Sequence, residues 1–123
     1  MGHWPSGRKG ILANARFHQG DIVWLDFDPH AGHEEGKRRP AIIVSGNDAL
    51  ARIKPLAFVS PITSAMSKYP THVGLDSQTK TRGTILCEQT KALDLEARNA
   101  GFIEVVPDEM LQEVLDIIHS LLD

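Results

Sequence analysis

The stretch Phe102-Ile103-Glu104-Val105-Val106-Pro107-Asp108-Glu109-Met110-Leu111 is where this 123-residue sequence changes its hydrophobic period. Up to Val106 the apolar residues are β-branched or aromatic and packed closely, as in a strand. From Met110 onward, Met110, Leu111, Val114, Leu115, Ile117, Ile118, Leu121 and Leu122 recur at the spacing of one helical face. Pro107 suits a first helical turn, and Asp108 and Glu109 stand where the helix dipole favours negative charge. The chain therefore ends in an amphipathic helix, and what precedes it decides the fold.

Upstream the signals are mostly short strands. Ile22-Val23-Trp24-Leu25-Asp26-Phe27 is stopped by Pro29, and Ala41-Ile42-Ile43-Val44 is an apolar run that Pro40 opens or places at a sheet edge. Leu56-Ala57-Phe58-Val59 is closed by Ser60 and Pro61. His72-Val73-Gly74-Leu75, Thr84-Ile85-Leu86-Cys87 and Phe102 to Val106 complete the set. Asn47 to Arg52 reads as one helical turn capped by Asn47. Strands in series, then one helix, exclude a doubly wound fold and predict a mainly β, small twisted barrel with the helix packed on it.

Length allows one domain, expected over residues 19–123. Residues 1–18, with Gly2, Pro5, Gly7 and Gly10, read as a flexible basic leader, compatible with a partly vector-derived stretch. Met1-Gly2-His3-Trp4-Pro5 lacks a signal peptide's apolar core, and no run approaches the roughly 18 apolar residues of a membrane span. The single cysteine, Cys87, makes a reducing cytoplasm the expected location. In its apolar run it reads as a small buried hydrophobe rather than a nucleophile.

The formal net charge of −3 by itself argues against a nucleic-acid partner. Its distribution does not. Residues 101–123 hold Glu104, Asp108, Glu109, Glu113, Asp116 and Asp123 and neither Lys nor Arg, whereas all 13 basic residues lie among the first 100 with 10 acidic ones. The densest basic cluster is Lys37-Arg38-Arg39. Three cations at a loop end are either a solvated face or a phosphate contact, for which the planar guanidinium is well shaped.

Other candidate chemistry is sparse. His30, His33, Glu34 and Glu35 have the residue types of a zinc site, but a loop fixes no ligand geometry and solvated charges explain them as well, so no metal is expected. Ser60, Thr63, Ser64 and Ser67 lack the setting of a hydrolase serine, and no phosphate-binding glycine motif is present. Glu88 and Gln89 end an apolar strand, as base readers or as a structural cap. His72 is open in the same way. Trp24 and Phe27 are read as core in preference to base-stacking platforms.

Taken in order, Gly20-Asp21-Ile22-Val23-Trp24-Leu25-Asp26-Phe27-Asp28-Pro29, then Gly32-His33-Glu34-Glu35-Gly36-Lys37-Arg38-Arg39-Pro40-Ala41, Val59-Ser60-Pro61-Ile62-Thr63-Ser64, Pro70-Thr71-His72-Val73 and Ile85-Leu86-Cys87-Glu88-Gln89-Thr90-Lys91-Ala92-Leu93-Asp94 resemble the MazF/PemK (Kid) toxins. The resemblance spans about residues 19–122. It implies an SH3-like barrel of the kind shared with the gyrase poison CcdB. It also implies a homodimeric, sequence-specific endoribonuclease that cuts single-stranded RNA without metal or cofactor, leaving a 2′,3′-cyclic phosphate and a 5′-hydroxyl. The family's catalytic Arg and Thr map onto Arg39 and Thr63. His33, Glu34, Glu35, Lys37, Arg38, Ser64, Glu88 and Gln89 are the candidate substrate-binding residues within the matched stretches. His33 stands where the family usually has Ser, Glu35 where Gln is usual, and Lys37-Arg38 where smaller or neutral residues are usual. His33 or Glu34 is thereby a candidate for deprotonating the nucleophile or reading a base. The implied partner is an acidic, partly disordered antitoxin covering the RNA groove. The competing readings are a non-catalytic poison on the same barrel and an RNA-binding module without catalysis.

Overall fold

The computed structural model describes residues 16–27 and 38–123. Among the described residues seven strands and two helices follow in the order β1 (Asp21–Asp26), β2 (Arg38–Ile43), α1 (Asn47–Arg52), β3 (Leu56–Thr63), β4 (His72–Gly74), β5 (Thr84–Leu86), β6 (Lys91–Asp94), β7 (Gly101–Val105) and α2 (Asp108–Leu122), with a 3₁₀ turn at Cys87–Gln89 between β5 and β6. All pairings are antiparallel, in the order β4-β5-β3-β2-β1-β7, with β6 also on β3. The expected mainly β architecture with a C-terminal helix is what forms.

The middle strands are covered on both faces, which explains why β1 and β2 read as continuous apolar runs. One face carries Ile22, Ile42, Ile62 and Ile85 into a core closed by Met110 and Val114 of α2. The other carries Val23, Leu25, Ala41, Ile43, Ala57, Val59 and Leu93 into a second core. Helix α2 buries Met110 and Val114 and packs Leu111, Leu115, Ile117 and Ile118 more loosely, while Leu121 and Leu122 are exposed. No helix among the described residues is long and apolar enough to cross a membrane.

Several expectations are corrected. Strand β3 does not stop at Ser60 and Pro61 but runs to Thr63, because it changes partners there. On one edge Val59 still faces Lys91 of β6, and from Ile62 the strand faces Ile85 of β5. Pro61, with no N–H to donate, stands at that handover. Pro40 is not on an edge strand, since β2 lies between β1 and β3, but it is beyond the last β2–β3 rung at Ala41↔Pro61. Helix α1 is preceded by Gly46, and Asn47 does not cap it; its Oδ1 accepts from the Gln19 backbone N–H at 2.9 Å. Pro107 precedes α2 and its carbonyl accepts from the N–H groups of Met110 and Leu111, both at 3.0 Å. Cys87 opens the 3₁₀ turn instead of ending β5. Trp24 is 43% exposed rather than core, and Phe27 is only partly buried. Within the stretch read as a leader, Phe17 packs on the second core and His18 is buried.

Candidate RNA-cleavage site

The register of β2 and β3 places the two candidate catalytic residues. The last rung pairs Ala41 with Pro61. One pleat further, on the same face by the two-residue period, are Arg39 and Thr63. There the strands part, since Thr63 is already paired with Thr84 of β5 while Arg39 is paired with Leu25 of β1. The parting opens a cavity of about 260 Å³ lined by Arg39, Thr63, Gln89 and Lys91 over Phe27, Pro61, Ile62 and Leu86. Arg39 is exposed at its rim.

The Thr63 and Gln89 walls are held from behind. The Thr63 hydroxyl oxygen accepts from the Ala65 backbone N–H at 3.3 Å, which leaves its own proton for an oxygen in the cavity. Gln89 closes the 3₁₀ turn, which Thr90 fastens by donating its hydroxyl to the Cys87 carbonyl at 2.7 Å. With that proton committed, the 2.6 Å contact between the Ser60 and Thr90 hydroxyls has Ser60 as donor, so the buried Ser60 anchors the turn to β3. Lys91 extends over the Phe27 ring at 5.5 Å, within cation–π range. A guanidinium, an ammonium, a hydroxyl and an amide above an apolar floor have the chemistry to meet one phosphate and an adjoining base.

Glu88, next to Gln89, points elsewhere. It accepts from the Thr71 hydroxyl at 2.7 Å and meets His72 Nε2 at 3.2 Å, while His72 Nδ1 meets the Ser67 hydroxyl at 3.0 Å. Burial pushes its carboxyl up, but the bonds from Thr71, its own backbone and His72, with the histidine's charge, outweigh this and hold it below the usual range. Arg38 also faces away from the cavity. Its guanidinium donates to Asp26 Oδ1 at 3.0 Å and to the Asn99 carbonyl at 2.8 Å. Asn99, whose φ of 56° is left-handed, donates its amide to Asp26 Oδ2 at 2.7 Å. The bonds from Asn99 and Arg38 hold the Asp26 carboxyl low.

Of the positions expected at the substrate, the fold thus brings Arg39, Thr63 and Gln89 to one cavity and turns Glu88 and Arg38 away from it. Ser64 is exposed beside Thr63 without lining the cavity. His33, Glu34, Glu35 and Lys37, with the metal-like cluster from His30, lie outside the described residues. Among the described residues no group of three His, Cys, Asp or Glu is placed to hold a metal. The cavity also brings in Lys91, which the sequence reading did not single out, and Phe27, which it read as core in preference to a stacking platform. Lys91 carries the signal of a lone cation in an otherwise weak strand, and Phe27 that of an aromatic at a strand end. A larger cavity, about 630 Å³, is lined by Phe17, Leu50, Lys54, Leu56 and Leu95 among others and brings together none of the candidate residues, so the chemistry rather than the volume selects the smaller one.

A family model of the PemK-like, MazF-like toxin of type II toxin-antitoxin system matches residues 18–122. The chain is 32% identical to Endoribonuclease PemK of Escherichia coli over 119 residues, covering 94% of this chain and 89% of that protein. It is 34% identical to Endoribonuclease EndoA of Bacillus subtilis over 113 residues, 85% of this chain and 96% of that one. Among solved structures it is similar to MazF in a MazE–MazF crystal structure from Deinococcus radiodurans, with a TM-score of 0.77 and 36% identity over 86% of this chain and 95% of that chain. By sequence along nearly its whole described length, and by fold, the chain belongs to the PemK-like, MazF-like toxins of type II toxin–antitoxin systems.

Proposed function

We propose that this protein is the toxin of its pair and acts as an endoribonuclease on single-stranded RNA, with Arg39 and Thr63 as its catalytic residues. One observation carries the reading. Two residues 24 positions apart, a guanidinium and a hydroxyl, line one cavity at the point where β2 and β3 separate.

The chemistry follows from those groups. The ribose 2′-oxygen attacks the adjacent phosphorus, the P–O5′ bond breaks, and the products carry a 2′,3′-cyclic phosphate and a 5′-hydroxyl. The 2′-proton must leave and the O5′ leaving group must gain one. Negative charge grows on the two non-bridging oxygens as the phosphorus becomes five-coordinate. Arg39 meets it with paired N–H donors and Thr63 with its hydroxyl. A guanidinium is a poor proton acceptor, so Arg39 serves as electrostatic clamp and another group takes the proton. His33 and Glu34, which precede β2 in the sequence, are the candidates. Gln89 presents both an amide donor and a carbonyl to a base edge, and Phe27 offers a stacking face. Lys91 supplies a further positive charge at the cavity wall.

The same reading takes in an acidic antitoxin segment that covers the basic cavity, a homodimer, and a cytoplasmic location. Its test is cleavage of a long RNA in EDTA with mapping of 5′-hydroxyl ends. Cutting at a short recurrent motif, lost in Arg39→Ala, is expected. Intact RNA bound with a steep salt dependence would replace this reading with a binding module, and inactivity with inhibited gyrase with a poison of the CcdB kind.

A further inference from the structure

We infer that Gly83 is a positioning residue for Thr63, and this rests on the reading that Thr63 acts in RNA cleavage. Gly83 precedes β5 and has φ of +122°, a left-handed conformation that residues with side chains rarely adopt. More tellingly, a Cβ built on it would lie 1.9 Å from the Thr63 carbonyl oxygen, 3.0 Å from the Thr63 carbonyl carbon and 3.1 Å from Ser64 Cα. The crowded atoms are all backbone, so no side chain can swing aside. Any residue but glycine drives Thr63 and Gly83 apart by about 1 Å or more.

The neighbouring bonds show what this contact sets. Thr63 pairs with Thr84. The buried Thr84 hydroxyl donates to the Ala65 carbonyl at 2.9 Å and accepts from the Ser67 N–H at 3.2 Å. Ala65 in turn donates its N–H to the Thr63 hydroxyl at 3.3 Å. Gly83 and Thr84, at the start of β5, thus grip residues 63–67, and the position of Ala65 sets the direction of the Thr63 hydroxyl. A shift of about 1 Å there misplaces the donor at the phosphate, worth roughly 10²-fold in rate.

The test is a double-mutant cycle with Gly83→Ala and Thr63→Ala, read as kcat and KM on an RNA with one mapped site. Gly83→Ala is expected to lower kcat roughly 10²-fold with KM within about threefold, and to cost nothing further in the Thr63→Ala background. Additive losses, or folded Gly83→Ala cutting within about threefold of the parent while Thr63→Ala is impaired, overturn the inference. Parent-like cleavage by Thr63→Ala instead overturns the underlying reading of Thr63. Should Gly83→Ala fail to fold, Thr84→Val and Thr84→Ser decide: kcat lost in the first and restored in the second supports the grip, and equal rates overturn it.

Discussion

Replacing Arg39 by alanine removes the only guanidinium that lines the cavity among the described residues. Loss of one preorganised donor at a developing oxyanion costs about 10²–10³ in rate, or about 3–4 kcal/mol. Arg39 offers two donors, but its exposed rim position lets water replace part of what is lost. The expected loss is therefore about 10³-fold in single-turnover cleavage, not the product of two independent donors. Arg39→Lys keeps the charge and loses the fork, so it should recover part of the rate without reaching the parent. Binding should respond differently. The affinity for a 2′-deoxy substrate, which lacks the nucleophile, should fall modestly, with the salt slope reduced by about 1. The paired control is Arg38→Ala, adjacent in sequence but tied to Asp26 and Asn99, which should keep cleavage within about tenfold. If Arg39→Ala also cuts within about tenfold of the parent, the clamp is not at this cavity and the mechanism is refuted.

The carboxylates of Glu88, Glu104 and Asp26 are all held below their ordinary values, so the folded state releases their protons first. Their contribution to stability is complete above the ordinary value of 4.5 for Glu and is lost as pH falls through the lower folded one. Glu104 loses solvation on burial but accepts from the Lys80 and Thr81 backbones and the Thr81 hydroxyl, so Glu104→Gln should flatten the decline of urea-unfolding stability below about pH 4.5, and an unchanged slope would contradict this. Burial, then the charges of Glu88 and Glu113, push the Cys87 thiol up to about 12, so it should resist thiol reagents at pH 8 until urea unfolds the chain; stoichiometric native labelling would contradict the assignment. Ile42→Ala, at a fully buried position between the sheet and α2, should cost about 2–5 kcal/mol, whereas Leu122→Ala, 77% exposed, should cost within about 0.5 kcal/mol by the same urea titration.

What was legible in the sequence is what local chemistry controls. The period change at Pro107, the apolar runs of β1 and β2, and the helix face all reflect burial along one element, and they formed as read. What was not legible depended on partners. Strand β6, Lys91-Ala92-Leu93-Asp94, buries only Leu93 and exists because Leu56 to Val59 of β3 offers it an edge. The extension of β3 through Pro61 is invisible to a rule that stops strands at proline, because its cost disappears where the strand exchanges β6 for β5. Trp24 has the composition of core and the exposure of surface, since its neighbour across β1 and β7 is Gly101, which offers no side chain to cover it. Arg39 and Thr63 are candidates through motif resemblance and do share a cavity, whereas Arg38 is tied to Asp26 and Asn99 for a simple reason. Adjacent strand residues point to opposite faces, so a run of three cations cannot act as one cluster once it enters a strand.

That alternation also resolves how an acidic chain presents a basic site. The acids of the last 23 residues are spent elsewhere: Glu104 on the Lys80–Thr81 backbone, Asp108 and Glu109 at the positive end of α2, Glu113 and Asp116 on its exposed face. Helix α2 covers the first core, whereas Arg39 projects on the second-core face of β2 together with Ala41 and Ile43. The acids of α2 therefore belong to the other face of the sheet, and Arg39 and Lys91 set the sign at the cavity. A net charge of −3 weakens general attraction to RNA without opposing capture at this one point. On the proposed reading, such a toxin should bind most RNA weakly, and base contacts near Gln89 should decide which strands stay long enough to be cut. Specificity then follows from weak background binding as much as from any contact that favours the right sequence.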